Sequence, residues 1–259
     1  MPSELLTDRR GHTLVLTISD PATRNTLSPQ VYAAAVEVLS AFDSDPELRC
    51  VILRGEGAHF CAGGDLNRLA ASRAGPIDAV RSGIDRFHTF VQAIREFPKP
   101  VIAAVEGHAA GGGCSLALAC DLVIAAESAR FTMSYGHAGL SPDGGGTWHL
   151  AQALPRALVL QLLWLPEPMT AQQWHMLGLV NAVVPDGQAL TEALAWAERL
   201  SQTASNAVAS VKALVEHAPS RTMRDQLDAE REQFASNLQH DNAAEGLRAF
   251  FEKRKPRFS

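Results

Sequence analysis

Short apolar segments alternate with longer segments of helical spacing over the first two thirds of the chain. Residues 14–18 alternate apolar and polar side chains, and residues 31–42 follow Ser28-Pro29, a pair typical of a capped helix start. The same reading predicts further strands at residues 50–53, 101–105 and 121–125 and a long helix at residues 76–97. Strands that alternate with helices predict an α/β core.

The last third of the chain has almost only helical spacing. The predicted helices cover residues 191–200, 204–217, 221–234 and 242–251. No flexible Gly/Ser linker precedes them, so we expect a core at residues 1–190 and a C-terminal helical region at residues 191–259 that does not fold independently.

Composition narrows the classes of function. The chain has 259 residues, 46% of them hydrophobic, which is enough for a sizeable core. With 23 basic and 28 acidic residues its net charge is −5, which argues against a general nucleic-acid binder. No segment approaches the roughly 18 to 20 apolar residues that span a bilayer, and the first twenty residues lack a signal-peptide core. We therefore expect a cytoplasmic protein that contacts neither nucleic acid nor membrane.

The cysteines indicate neither a disulfide framework nor a metal site. They form no CxxC pair and lie mostly among apolar or small residues, at positions Cys50, Cys61, Cys114 and Cys120. We expect buried, reduced thiols and no bound metal.

Two glycine-rich loops each follow a predicted buried strand. They cover residues 59–66 and 106–115, and glycine allows a backbone N–H to approach a ligand without a side chain in the way. Where Gly111 to Gly113 opens a helix, free N–H groups and the helix dipole favour an anion. Two converging N–H groups would form an oxyanion hole for a thioester enolate, each worth about 3 to 4 kcal/mol in the transition state. The alternative is two tight turns that need glycine only for packing. Neither loop matches a P-loop or a dinucleotide signature.

Six segments along the chain resemble the enoyl-CoA hydratase/isomerase family, the crotonases. They are residues 60–66 (FCAGGDL), 99–107 (KPVIAAVEG), 111–114 (GGGC), 119–122 (ACDL), 142–147 (PDGGGT) and 252–255 (EKRK). The resemblance implies a spiral of ββα units with a C-terminal helical region that mediates trimerisation, and hence a homotrimer or a hexamer. It also implies an acyl-CoA thioester as substrate, held by the backbone N–H groups of Gly64 and Gly112, with no cofactor besides the coenzyme A of the substrate.

The family's coenzyme A contacts map onto three parts of this chain. They are the loop with Arg24 and Asn25, the segment Ala62, Gly63, Gly64, Asp65 and Leu66, and the last helix with Phe250 and Lys253. Arg24 and Lys253 would supply positive charge for the phosphates. Taken alone, residues 253–255 also fit a solvated basic tail.

The resemblance also shows a departure from the hydratases. The two hydratase glutamates correspond to Ser115 and Tyr135, neither of which is suited to act as a general base near neutral pH. Asp143 is the remaining acidic candidate, at a position that some related isomerases and dehalogenases use for chemistry. We predict that Asp143 shuttles a proton in a double-bond isomerisation, with hydration left open. Alternatively, Asp143 caps a helix that starts at Gly144. Tyr135 either donates to a substrate oxygen or packs in the core.

Two other kinds of function remain open. Residues 113–117 nearly match the nucleophile elbow GxSxG, which would make Ser115 the nucleophile of a thioester hydrolase with Asp143 and either His149 or His175. A non-catalytic acyl-CoA binder is the other alternative. Apolar residues around Ile84, Phe87 and Leu140 suggest an aliphatic or ring-containing acyl group.

Overall fold

The computed structural model describes residues 3–258 and contains two β-sheets surrounded by helices. The strands are β1 (Glu4–Arg10), β2 (Thr13–Ser19), β3 (Cys50–Gly55), β4 (Val101–Val105), β5 (His108–Ala110), β6 (Leu122–Ala126), β7 (Arg130–Thr132), β8 (Met169–Thr170) and β9 (Ala182–Val184). The α-helices are α1 (Pro29–Phe42), α2 (Leu66–Ser72), α3 (Ile77–Glu96), α4 (Gly112–Ala119), α5 (Gly146–Ala153), α6 (Arg156–Trp164), α7 (Ala171–Met176), α8 (Ala189–Ser201), α9 (Ser205–His217), α10 (Met223–Leu238) and α11 (Asp241–Phe251). Short 3-10 helices lie at Pro21–Thr23, Ser134–Ala138 and Ala218–Ser220.

The larger sheet has six strands in the order β1-β2-β3-β4-β6-β9. β1 and β2 form an antiparallel hairpin, and every later neighbour pairs parallel. β4 is apolar and buried along its whole length, as expected for a parallel strand covered on both faces. Because β2, β3, β4 and β6 run in the same direction, the loops after β3 and β4 leave the same edge of the sheet, and these are the two glycine loops.

The smaller sheet joins the second glycine loop to the rest of the core. β5 pairs parallel with β7, and β7 pairs antiparallel with β8. Two isolated bridges, Cys61 with Ala109 and Leu27 with Gly64, tie the first glycine loop to β5 and to the segment before α1. The two glycine loops therefore share one hydrogen-bonded framework.

Apolar side chains cover both faces of the larger sheet. On one face, residues of α1 and α3 such as Leu39 and Phe90 pack against the strands in the main core. On the other face, α8 presents Ala189, Ala193 and Ala197, which recur every four residues and let the helix lie close to the strands. Together these layers hold the ends of β3 and β4 rigidly.

The α/β architecture and the elements predicted from apolar spacing are confirmed. Helix α1 begins after Ser28, whose side chain accepts a hydrogen bond from the Val31 N–H, as the sequence predicts. The four cysteines are buried free thiols, as expected. β6 starts one residue later than predicted because the Asp121 side chain accepts a hydrogen bond from the Val101 N–H instead of entering the strand.

The C-terminal helices α9, α10 and α11 follow α8. Lys212 on α9 donates to Asp121 at 2.7 Å and to the carbonyls of Ile94 and Lys99, which anchors α9 on the core. The predicted boundary after residue 190 falls inside α8, and the division into two regions stays a prediction. Among the described residues, no helix combines the length and the apolar character needed to cross a bilayer.

Candidate active site

The first glycine loop is held in place by backbone hydrogen bonds on both sides. The Leu27 N–H donates to the Gly63 carbonyl at 2.7 Å, and the Ala110 N–H donates to the Cys61 carbonyl at 2.9 Å. Immediately after Gly64, the Asp65 side chain caps α2 by accepting hydrogen bonds from the N–H groups of Asn67 and Arg68. The Gly64 amide is thus fixed between a bridge and a capped helix.

The second glycine loop ends in a sharp turn that starts helix α4. Gly111 has a φ of +50°, which favours glycine, and its N–H donates to the Thr132 carbonyl at 2.9 Å. Gly112 is the first residue of α4, and a Cβ on Gly113 would collide with the Cys61 carbonyl. The close approach of α4 to the first loop therefore requires glycine at this turn.

The amides of Gly64 and Gly112 belong to backbone segments that meet. A Cβ placed on Gly63 would lie 2.9 Å from the Gly112 nitrogen and 2.6 Å from the Ala110 oxygen. Within residues 3–258, neither the Gly64 N–H nor the Gly112 N–H donates a hydrogen bond to another backbone or side-chain group. Free amides close together at a helix N-terminus can stabilise a negatively charged oxygen.

The positions predicted to replace the two hydratase glutamates face each other. The Ser115 Oγ on α4 lies 2.9 Å from the Tyr135 hydroxyl, which comes from the 3-10 helix Ser134–Ala138. The same hydroxyl donates to the Asp143 Oδ1 at 2.7 Å and lies 3.2 Å from the Asp143 carbonyl oxygen. Ser115, Tyr135 and Asp143 therefore form one connected polar group.

Electrostatics keep the Tyr135 hydroxyl protonated. Burial raises the pKa of Tyr135 well above its ordinary value, and the negative charge of Asp143 raises this pKa further. The phenol therefore acts as a hydrogen-bond donor and not as a base at neutral pH. Asp143 is the acidic side chain in this group, as the sequence predicts.

The capping alternative for Asp143 is wrong. Helix α5 begins at Gly146 with Gly145 at the N-cap, and its first turn has no side-chain cap. Asp143 contributes only its carbonyl, which accepts from the Gly146 N–H at 3.2 Å. Gly144 and Gly145 both have positive φ, which turns the chain so that the Asp143 carboxylate points at Tyr135 instead of at the helix.

An apolar wall connects the paired amides with the Asp143 loop. A Cβ on Gly112 would lie 3.6 Å from the Phe87 ring, and a Cβ on Gly144 would collide with the same ring. The Tyr32 ring lies 5.3 Å from Phe87, and Leu27 packs against Gly112. Sequence reasoning named Phe87 but missed Leu27 and Tyr32, because α1 and the segment before it approach the site only through tertiary packing.

The predicted coenzyme A contacts fall into two groups in the structure. Arg24 is exposed, and its carbonyl accepts from the Ala62 N–H at 2.9 Å, which places the Arg24 loop beside the segment 62–66. The Asn25 side chain is fully buried and binds the backbone of Asp20, Glu56 and His59. The Asn25 side chain therefore stabilises this loop. Direct binding of coenzyme A by Asn25 stays a prediction, and it would have to use backbone atoms, because the side-chain amide is already hydrogen-bonded.

The second group lies at the end of α11. Phe250 is 78% exposed and Lys253 is also exposed. In the described part of the chain, no hydrogen bond or ion pair connects them to the glycine loops. The alternative of a solvated basic tail does not hold for Arg254, which is paired with Glu245 and Glu252. Lys253 has no ion-pair partner among residues 3–258.

The geometry argues against a serine hydrolase. Ser115 is completely buried, and its partner is a phenol and not an imidazole. His175 is engaged with the Val180 carbonyl, and His149 makes no hydrogen bond to Ser115 or Asp143 within the described residues. Burial and the charge of Arg95 lower the pKa of His149 to about 4, so it is neutral at physiological pH. A Ser-His-Asp triad is therefore not assembled here.

Comparisons with known proteins agree with this geometry. Residues 9–259 match the family model described as enoyl-CoA hydratase/isomerase. Similar proteins include enoyl-CoA hydratase EchA19 of Mycobacterium tuberculosis, 38% identical over 98% of this chain and 96% of the relative. Another is the 1,2-epoxyphenylacetyl-CoA isomerase of Escherichia coli, 36% identical over 95% of this chain and 94% of the relative. The crystal structure of an enoyl-CoA hydratase from Polaromonas sp. JS666 superposes with a TM-score of 0.97 at 51% identity, covering 99% of this chain and all of the other. This likeness confirms the predicted spiral fold with C-terminal helices.

Proposed function

This chain belongs to the enoyl-CoA hydratase/isomerase family and is an enzyme of the hydratase/isomerase type that acts on acyl-CoA thioesters, and from this premise we propose that it isomerises a carbon–carbon double bond. The observation that carries the proposal is the group at the predicted glutamate positions. Ser115 and Tyr135 occupy these positions and bind each other, which leaves Asp143 as the carboxylate of the group.

The proposed reaction is a 1,3-proton shift. Asp143 accepts a proton from the α carbon of a β,γ-unsaturated acyl-CoA. The electron pair of the broken C–H bond forms an enolate, which places negative charge on the thioester oxygen. Protonation at the γ carbon by the same carboxyl group returns the electron pair and forms the α,β double bond. No oxidation state changes overall, so the proposed reaction requires no redox cofactor.

The two free amides stabilise the enolate in this proposal. The N–H groups of Gly64 and Gly112 donate to the thioester oxygen, on which negative charge grows in the transition state. Since both donors are held by the backbone framework described above, they need no rearrangement as the charge develops. Two observations support their assignment as the oxyanion hole. Neither N–H has a hydrogen-bond acceptor within residues 3–258, and Gly63 approaches Gly112 closely.

Positive side chains complete the substrate site. We assign the phosphates of coenzyme A to Arg24 beside the first glycine loop and to Lys253 at the end of α11. The relative named 1,2-epoxyphenylacetyl-CoA isomerase and the apolar wall with Tyr32 and Phe87 support an acyl group that contains a ring.

Hydration of an enoyl-CoA is the second candidate function. It is favoured by relatives such as the 2,3-dehydroadipyl-CoA hydratase of Escherichia coli, 33% identical over 99% of this chain. In this alternative, Asp143 would activate the water without a second carboxylate. The presence of one carboxylate in the connected polar group favours isomerisation, because a 1,3-shift needs only one base.

Aliphatic and aromatic enoyl-CoA esters incubated in heavy water with mass detection test the proposal. We expect a moved double bond, and deuterium at the α or γ carbon in those turnovers in which the Asp143 proton exchanges with heavy water before its return, both abolished in Asp143→Asn. Asp8→Asn, an equivalent change at an exposed carboxylate on β1, serves as the matched control and should retain exchange. Addition of water without movement of the double bond, or exchange that persists in Asp143→Asn, would overturn the proposal.

A further inference from the structure

A chain of three side chains leads from helix α4 to the carboxylate of Asp143. The Tyr135 proton is directed to the Asp143 Oδ1 at 2.7 Å, so the phenol oxygen accepts from the Ser115 Oγ–H at 2.9 Å. Within residues 3–258, no group donates a hydrogen bond to the Asp143 Oδ2. One carboxylate oxygen is therefore held by the protein, and the other is free to act.

This series of hydrogen-bonded side chains starts at Ser115 on α4, the helix that also carries the Gly112 amide of the predicted oxyanion hole. Gly112 and Ser115 are three residues apart in the first turn of α4 and so lie on the same face. A Cβ on Gly146 would lie 2.6 Å from the Ser115 Oγ, so the first turn of α5 packs directly over this serine. Ser115 and Tyr135 thus link the position of the Asp143 carboxylate to that of the Gly112 N–H.

We propose that Tyr135 is a positioning residue that fixes the carboxylate of Asp143 through Oδ1, with Ser115 orienting the phenol and Oδ2 carrying the proton. This inference rests on the proposed proton shuttle and assigns a purpose to the two residues that replace the hydratase glutamates. Because the phenol donates to Oδ1, the lone pairs of Oδ2 remain available to accept the proton.

Other polar groups near this carboxylate are few. Burial and the negative charge of Asp143 raise the pKa of Tyr32 on α1, and Arg68 of α2 interacts with the same phenol. On α5, His149 is buried and neutral, and its charged neighbour is Arg95 of α3. His137, on the same 3-10 helix as Tyr135, is exposed. Within the described chain none of these groups donates a hydrogen bond to the Asp143 carboxylate, so Tyr135 is its direct partner.

Tyr135→Phe tests the proposal because it removes one O–H group and keeps the ring. We expect kcat to fall by roughly ten- to a hundredfold, as for the loss of a hydrogen bond to a charged group, with little change in KM. Ser210→Ala is the control, since it also removes one hydroxyl hydrogen bond, here from α9 to Gln233 on α10, and it should leave kcat and KM unchanged.

Ser115→Ala and the double variant provide an independent readout. Ser115→Ala should lower kcat by roughly fivefold with little change in KM, as expected for a neutral hydrogen bond. Because Ser115 acts through the phenol, adding Ser115→Ala to Tyr135→Phe should have almost no further effect. Circular dichroism and thermal unfolding establish that each variant is folded. If Tyr135→Phe does not fold, a fall in kcat at unchanged KM in Ser115→Ala decides the question alone.

Three results would overturn the positioning role. A folded Tyr135→Phe with wild-type kcat would do so, as would additive effects in the double variant. A rise in KM with an unchanged kcat would show that Tyr135 binds the substrate directly. Retention of exchange by Asp143→Asn is a different failure, because it removes the proton shuttle itself whatever Tyr135 does.

Discussion

Individual glycines matter at this site for two separate reasons. Gly63, Gly113 and Gly144 lack room for a Cβ, since each would meet backbone or ring atoms of the opposing segment. Gly64 and Gly112 face ordinary side chains, and their importance lies in the N–H that each leaves free. Substitutions at Gly112 can therefore distinguish the effect of losing the N–H from the effect of adding a side chain.

Gly112→Pro tests the role of the amide directly. Proline is tolerated at the first position of a helix, where it removes an N–H that has no intrahelical partner. We expect turnover to fall by roughly a hundred- to a thousandfold, with a much smaller loss of affinity for coenzyme A esters. Steady-state kinetics together with direct binding of a non-reactive thioether analogue measure the two effects.

Gly112→Ala is the control for that experiment. It adds a Cβ 3.3 Å from a Leu27 methyl group and keeps the N–H. Turnover by a folded Gly112→Pro enzyme that equals turnover by Gly112→Ala would exclude this amide from the oxyanion hole.

Secondary-structure elements differ in how well the sequence predicts them. Helices α1 and α3 both have apolar periodicity that is visible in the sequence, and α1 also has a capping residue, Ser28. Apolar spacing does not predict strand β1, because its sequence, ELLTDRR, is largely polar and it forms the exposed edge of the sheet, paired with β2. The hydrogen bonds from Ser115 to Tyr135 and from Tyr135 to Asp143 cross 20 and 8 residues of sequence, and local patterns contain no information on such contacts.

A largely buried cation on helix α9, Lys212, anchors this helix to the core. The Lys212 ammonium group binds Asp121 and two backbone carbonyls, and the exposed fractions of the two side chains are only 13% and 20%. Burial lowers the pKa of Lys212 and raises the pKa of Asp121, while the attraction between the two opposes both shifts. The ion pair therefore remains, but each partner relies on the other to offset the cost of burial.

Lys212→Met should destabilise the protein by about 3 to 5 kcal/mol, because it leaves the Asp121 carboxylate without its cation and removes the ammonium donor to two carbonyls. Chemical denaturation followed by circular dichroism measures the free energy of unfolding. Arg81→Met is the matched control, since it breaks an exposed ion pair with Asp78 on α3 and should cost less than about 1 kcal/mol. Equal losses in the two variants would contradict the anchoring role of Lys212.

At the scale of the whole molecule, large apolar side chains are exposed on the C-terminal helices. They include Val211 and Val215 on α9, Leu227, Phe234 and Leu238 on α10, and Phe251 on α11. Phe234 is 71% exposed and Phe251 is 77% exposed. Scattered exposed residues are ordinary, but repeated exposure along consecutive helices is typical of a protein–protein interface. We propose that this surface is buried in a homotrimer or in a hexamer of two trimers.

Light scattering after size-exclusion chromatography tests that assembly. The wild-type chain of 27.8 kDa should elute at three or six times this mass. Phe234→Glu places a charge in the proposed interface and should shift the population to smaller species, because burying an unpaired carboxylate costs several kcal/mol. Leu6→Glu changes an exposed apolar residue on edge strand β1, away from these helices, and should leave the mass unchanged. A monomeric wild-type protein, or a Phe234→Glu variant that assembles as well as Leu6→Glu, would place the contact between subunits elsewhere.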